Sequence, residues 1–155
     1  MNDRYLFRGK RLNNGEWVQG HYRSRTMEPN FDRVRHFISM DYPEMYEIDE
    51  TTLGQCTGLK ETCVNGEYKE GDLIFVGDII TVSAYSYTEP EADYFGVVEI
   101  GPFGYGLHVY DGYNRKKWIN LCDCQGSYIT HYTKYGNIHD NPELLEEDEL
   151  FEEDI

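Results

Sequence analysis

The sequence predicts a mainly β protein, folded as a small SH3-like or related β-barrel or rolled sheet with a short C-terminal α-helix. Three observations favour this fold class. β-branched and aromatic residues occur in short runs that Gly, Asn and Asp interrupt. Regular helical periodicity is absent before about residue 138. Short strands at close spacing are more typical of a small barrel than of a layered α/β fold.

Seven segments have the composition of strands: 17–23, 34–40, 73–82, 94–100, 106–110, 117–121 and 128–132. Two short sequences, Asn13-Asn14-Gly15 and Asp111-Gly112, contain residues that accept φ > 0 in tight hairpin turns. We therefore expect a hairpin around each turn, with 8–11 paired to 16–20 and 107–110 paired to 117–119.

Two stretches lack the character of strands. Residues 23–30 combine charges with Pro29, and residues 83–93 combine three acids with Pro90 and no apolar face. Both compositions predict exposed loops.

We expect one β domain over residues 1–140, followed by an acidic C-terminal helix or tail over residues 141–155. Asn141, Pro142 and Glu143 have the order of a helix start, with an N-cap, a proline at the first helical position and an acid in the first turn. Three apolar residues then fall near one helical face, while acids cover the remainder: Leu144, Phe151 and Ile155. These three are candidate contacts, either with the parent barrel or a symmetry mate, or with a basic groove on another protein.

Charge is unevenly distributed along the chain, whose formal net charge is −15. Residues 1–36 hold eight Lys and Arg against four acids, whereas acids predominate beyond them. Proteins bind a phosphate backbone largely by releasing counterions through many Lys and Arg contacts, so we expect no nucleic acid as a partner. We expect the basic N-terminal segment to meet the acidic middle of the chain, within the fold or across a homo-oligomer contact.

The four cysteines have neither the spacing of a secreted disulfide framework nor that of a zinc site: Cys56, Cys63, Cys122 and Cys124. We therefore expect no metal and a reducing, cytoplasmic location. No apolar run approaches the ~18–20 residues of a membrane helix, and we expect no membrane partner.

Catalytic motifs are also absent from the sequence. The five histidines are scattered, and the glycine-rich segment 101–106 lacks the Lys-Ser/Thr and the helix of a P-loop. Acids are so frequent that no single one is informative. We expect that the protein is not an enzyme, that it has no catalytic residue and that it binds no cofactor.

Fourteen tyrosines distinguish the composition. Tyrosine suits protein interfaces and also half-buried strands, and the second use is the more frequent. If an aromatic partner surface is present, we expect it in the segment 105–118, at Tyr110, Tyr113 and Trp118.

Three motifs follow one another along nearly the whole chain. The first is Phe7-Arg8-Gly9-Lys10 with 14–20, the second is 52–60 with the Gly-Asp strand 74–80, and the third is 135–145. Together they resemble the YopX family of phages and prophages. The chain departs from the family pattern at Cys56, where the family usually has an aromatic residue, and in a longer segment between 60 and 77. The resemblance implies a mostly β fold of phage or mobile-element origin and brings no established activity.

The motif residues have the chemistry of turns. Gly58 accepts φ > 0 and Leu59 supplies a buried anchor, while Asp78 after Gly77 accepts backbone N–H bonds before a buried strand. We expect a structural role in turns for ten of them: Gly54, Gln55, Thr57, Gly58, Leu59, Gly77, Asp78, Gly136, Asn137 and Pro142.

The leading functional hypothesis is a phage or mobile-element accessory protein that acts by protein–protein binding, with a partner or with itself. The second is an acidic DNA mimic that inhibits a host nucleic-acid enzyme, and the third is a small hydrolase. An exposed apolar or aromatic patch would favour the first, two ordered rows of acids the second, and a pocket with converging polar groups the third.

Overall fold

The computed structural model describes residues 5–27, 33–41, 43–86, 90–101, 104–110, 116–121 and 127–145. Within these ranges the backbone forms twelve strands: β1 (Phe7–Arg11), β2 (Trp17–Met27), β3 (Arg33–Ser39), β4 (Tyr46–Lys60), β5 (Cys63–Val64), β6 (Glu67–Tyr68), β7 (Leu73–Phe75), β8 (Asp78–Ser86), β9 (Ala92–Gly101), β10 (Gly104–Tyr110), β11 (Lys116–Asn120) and β12 (Ser127–Asn137). A short helical turn follows at 143–145. The predicted mainly β fold class is confirmed.

The chain divides into two compact units, Met1–Gly58 and Leu59–Ile155. In the first unit, strands β1 to β4 pair in a ring. β1 pairs antiparallel with β2, β2 with β3, β3 with β4, and β4 returns to β1. Each of the four strands therefore has a partner on both sides, which closes a small barrel. Its buried apolar residues are Leu6, Ile38, Ile48 and Cys56.

In the second unit, five antiparallel strands form a sheet in the order β11-β10-β9-β8-β12. A cluster of buried apolar side chains packs there: Ile74, Ile80, Val82, Val98, Leu107, Ile119 and Leu121. β7 pairs with β4, and β5 forms a separate hairpin with β6. The turn of that hairpin holds Asn65 and Gly66 at φ of 53° and 82°, as a type I′ turn requires.

Both predicted hairpins are confirmed. Lys10 pairs with Trp17 across the first, and Leu107 pairs with Ile119 across the second. Gly15 has a φ of 71° in the first turn. The second turn, 111–112, lies outside the described residues.

Two predicted loops are shorter than expected because strands extend into them. β2 continues to Met27, so that residues 23–27 pair with β3 instead of forming a loop. β8 continues to Ser86 and β9 begins at Ala92. Pairing with a neighbouring strand satisfies these backbones and overrides their weak β propensity.

The predicted turn at 57–60 is also different in the structure. Gly54, Gln55, Thr57, Gly58 and Leu59 all lie within the continuous strand β4. Gly58 nevertheless has a φ of 82°, so that the strand is distorted at this residue. The glycine thus accommodates an irregularity inside a strand and does not reverse the chain.

The C-terminal helix begins where the sequence predicts. The Leu144 N–H donates to the Asn141 carbonyl and the Leu145 N–H to the Pro142 carbonyl, both at 3.1 Å. The remainder of that helix prediction, with Phe151 and Ile155, falls outside the described residues. In the part of the chain that the structure describes, no helix is long and apolar enough to cross a membrane.

Candidate functional site

The β2–β3 hairpin places four arginines on one side. Residues directly opposite each other in an antiparallel pair project to the same side of the sheet. The register pairs Arg23 with Phe37, Arg25 with Arg35 and Met27 with Arg33. Arg23, Arg25 and Arg33 are exposed, and Arg35 is half-buried. We call these four arginines the basic hairpin face.

One arginine of this face is neutralised by β4. Arg35 donates two hydrogen bonds to the Glu47 carboxylate, from Nη2 at 2.6 Å and from Nε at 2.8 Å. These bonds lower the pKa of Glu47 and raise the pKa of Arg35, while burial of each group acts in the opposite direction. The Arg35 guanidinium also lies 5.2 Å from the centre of the Phe37 ring. The negative charge of Glu47 is therefore balanced by the Arg35 guanidinium.

Two of the other arginines are without an acidic partner in the described part of the chain. Arg23 and Arg25 form no ion pair with any residue that the structure describes. Arg25 also stands directly opposite Arg35, whose own charge is balanced by Glu47. Arg23 and Arg25 thus present two exposed positive charges in a chain whose net charge is −15. These two charges can attract an anionic partner.

An apolar hollow of about 220 Å³ adjoins the basic hairpin face. It is lined by His21, Tyr22, Arg23, Phe37, Ser39, Met40 and Met45. Met40 is 55% exposed although its side chain is large and apolar. The Ser39 hydroxyl donates to the Glu44 carbonyl at 2.5 Å, which ties together the two ends of the turn that carries Met40. We call this feature the methionine hollow.

The opposite side of the hairpin is held by a polar chain. The Tyr22 hydroxyl and His36 Nδ1 are 2.6 Å apart, and their rings stack at 5.8 Å with an angle of 10°. His36 Nε2 lies 2.8 Å from Glu50 of β4. These contacts link β2, β3 and β4, and they fix the hairpin that presents the arginines.

The Gly-Asp motif has a structural role in the second unit. Gly77 has a φ of 95°, and the fully buried Asp78 accepts the Phe75 N–H through Oδ2 at 2.7 Å. The Lys134 ammonium lies 3.5 Å from the same oxygen. The Asp78 carboxylate thus closes the β7–β8 turn and neutralises a partly buried lysine.

Glu61 is a second buried acid that the sequence did not single out. Its side chain accepts the Lys134 N–H at 2.9 Å and the Asp72 N–H at 3.1 Å. A Cβ on Gly71 would collide with this carboxylate, so a glycine is needed there. Both oxygens of Glu61 serve backbone donors, as expected of a structural acid.

The closing motif joins the end of β12 to the helical turn. Asn137 Oδ1 accepts the N–H groups of His139 and Asp140, each at 3.0 Å. A Cβ on Gly136 would overlap the Asn141 side chain. These bonds place Pro142 at the start of the turn, where its missing N–H costs nothing.

The aromatic surface expected around 105–118 is only partly described. The Trp118 ring covers Gly101 and Gly106, where an added Cβ would overlap it, and its Nε1 donates to Asn120 at 2.8 Å. The His108 ring lies 4.8 Å from it, edge to face. Of the other residues predicted for a partner surface, Tyr113 and the Tyr110 side chain lie outside the described residues. Leu144, in the C-terminal helical turn, is half-buried. Among described residues, Trp118 is therefore a packing residue of the sheet.

The comparisons with known proteins give one match. A family model described as YopX protein matches residues 6–146. No curated protein and no solved structure matches the chain. The matched range contains all twelve strands and the helical turn at 143–145.

Proposed function

The chain belongs to the YopX family, and from that premise we propose that it is a phage or mobile-element accessory protein that acts by binding another protein. The basic hairpin face carries this proposal. Its exposed arginines favour an acidic protein segment as the partner, because charge complementarity guides association and orients the bound chain. The work would take place in the cytoplasm, as the cysteine spacing predicts.

Nucleic acid suits this face less well. Affinity for nucleic acid grows with the number of phosphates that Lys and Arg neutralise, and the hairpin offers four arginines, one of them already paired with Glu47. The adjoining methionine hollow favours a partner that carries apolar side chains as well as acids.

The other two hypotheses receive less support. A DNA mimic needs its acids available in ordered rows, and beside the arginines of the hairpin Glu47 is instead paired with Arg35. A hydrolase needs an acid or base free to meet a substrate, but the buried carboxylates of Glu61 and Asp78 serve backbone N–H donors. Protein binding without catalysis or a cofactor is the function we retain.

Arg25→Glu tests the proposal without harming the fold. Arg25 is exposed and forms no ion pair with the described residues, so we expect the variant to keep the fold and nearly the stability of the parent. Fluorescence anisotropy with a labelled ten-residue peptide of Glu and Asp around one Phe should show binding by the parent. Arg25→Glu should weaken that binding about fivefold or more, since an attraction becomes a repulsion.

Lys69→Glu is the matched control, because it changes the charge equally at an exposed position between β6 and β7. It should leave the affinity for the peptide unchanged. A ten-residue oligo-dT is the competing probe. Tighter binding of the oligonucleotide than of the peptide, or no binding of the peptide by the parent, would reject the proposal.

A further inference from the structure

The methionine hollow and the basic hairpin face share a residue. Arg23 lines the hollow and also begins the row of arginines that continues to Arg25. Phe37, its cross-strand partner, forms part of the hollow and holds the Arg35 guanidinium above its ring. A chain lying along the arginines therefore passes the mouth of the hollow.

The size of the hollow limits what it accepts. Small-molecule sites usually have volumes of about 300–1,000 Å³. An apolar cavity of roughly 150 Å³ is large enough to bind benzene. At about 220 Å³ the hollow is below the first range and accommodates one aromatic ring or one long aliphatic side chain.

Its chemistry points to the same class of occupant. Met40 and Met45 have flexible, polarisable thioethers, which adapt to side chains of different shape and favour contact with aromatic rings. Met40 is 55% exposed, so filling the hollow would remove a large apolar side chain from water.

We infer that the methionine hollow is an anchor site for one apolar side chain of the acidic partner segment. The partner sequence then contains a Phe, Leu or Met within a run of Asp and Glu, with the apolar residue in the hollow and the acids on Arg23 and Arg25. The inference rests on the proposed function, and it adds a specificity that charge alone does not supply.

Three labelled peptides test the anchor. They share one run of Glu and Asp and differ only in the central residue, which is Ala, Leu or Phe. With the full chain, the Phe and Leu peptides should bind about tenfold more tightly than the Ala peptide, since an apolar side chain is transferred from water. The Met methyl NMR signals of Met40 and Met45 should move with the Phe peptide and stay in place with the Ala peptide.

A double variant, Met40→Ala with Met45→Ala, removes the two thioether side chains from the lining and leaves the arginines. It should reduce the preference for Phe over Ala to about threefold or less, while the affinity for the Ala peptide stays the same. Leu12→Ala is the control, because Leu12 is 57% exposed elsewhere in the same unit. It should preserve the full preference for Phe.

The outcomes distinguish the anchor site from the proposed function on which it rests. Equal binding of the three peptides would overturn the anchor and leave the basic face as a charge-directed site. A preference for Phe that survives the double variant would also overturn it. Failure of all three peptides to bind would reject the proposed function itself.

Discussion

Some side chains in this protein have structural roles that their residue type alone does not predict. Asp78 and Glu61 are both buried, and both accept backbone N–H groups, Asp78 from the end of β7 and Glu61 from Asp72, just before β7, and from β12. Arg25, in contrast, is exposed and placed against another arginine. The first two satisfy buried donors of the fold, whereas Arg25 forms no ion pair with the described residues and is therefore the better guide to function.

Asp78→Ala should destabilise the protein by about 3–5 kcal/mol, because it leaves the buried Phe75 N–H without its acceptor and Lys134 without its counter-charge. Asp78→Asn keeps an acceptor oxygen and should cost less. Asp41→Ala, at an exposed position, is the control and should change little. Urea denaturation measures the three effects, and an Asp78→Ala curve that coincides with the parent would show that the turn does not depend on this carboxylate.

At the scale of elements, the hairpin β2–β3 is joined to β4 by the Arg35–Glu47 pair. The pKa of Glu47 is lowered in the folded protein, so the carboxylate contributes stability above its unfolded value of 4.5. That contribution disappears as the pH falls below 4.5 and passes through the lower folded pKa. Part of the free energy of unfolding of the first unit is therefore lost in acid.

Glu47→Gln should remove that part of the pH dependence. Unfolding free energies measured from pH 6 to about pH 3 should fall less steeply for the variant than for the parent. The control is Glu16→Gln, because Glu16 is exposed and forms no ion pair with the described residues. Parallel profiles for parent and Glu47→Gln would mean that Arg35 does not stabilise the ionised carboxylate in solution.

The elements also show which parts of the fold a sequence can reveal. The hairpin around Gly15 was predictable, since its turn residues and both strands are adjacent in the chain. Strand β4 was not, because Asp49, Glu50 and its two glycines lower its β propensity and its partners β1 and β3 are not adjacent to it through a short recognisable turn. Its pairing with β1 and β3 is what makes it a strand.

The candidate site was predictable only in part. The excess of Arg in residues 1–36 is visible in the sequence, but residues 23–30 were expected to be a loop. Only the cross-strand register brings Arg25 opposite Arg35. The methionine hollow forms because the chain between β3 and β4 brings Met45 close to Phe37. No periodicity in the sequence predicts that contact.

For the whole molecule, we expect folding to be independent of metal. Cys56 is fully buried in β4, and its Sγ accepts the Gly58 N–H at 3.3 Å, so its surroundings are those of a core residue. Protein purified without added metal should contain no stoichiometric zinc, and a chelator should leave its melting temperature unchanged. Cys122→Ser with Cys124→Ser is the control and should melt as the parent does. Stoichiometric zinc together with unfolding on chelation would contradict this.

Strand β4, Tyr46–Lys60, also bears on how such a protein can evolve. The boundary between the two compact units falls between Gly58 and Leu59, which is inside this strand. Domains that recombine freely are usually joined by exposed linkers, where few contacts cross the junction. A crossover at this boundary would instead divide a strand whose earlier residues pair with β1 and β3. We therefore expect an insertion between Gly58 and Leu59 to be less well tolerated than one of equal length in an exposed turn such as Asn13–Gly15.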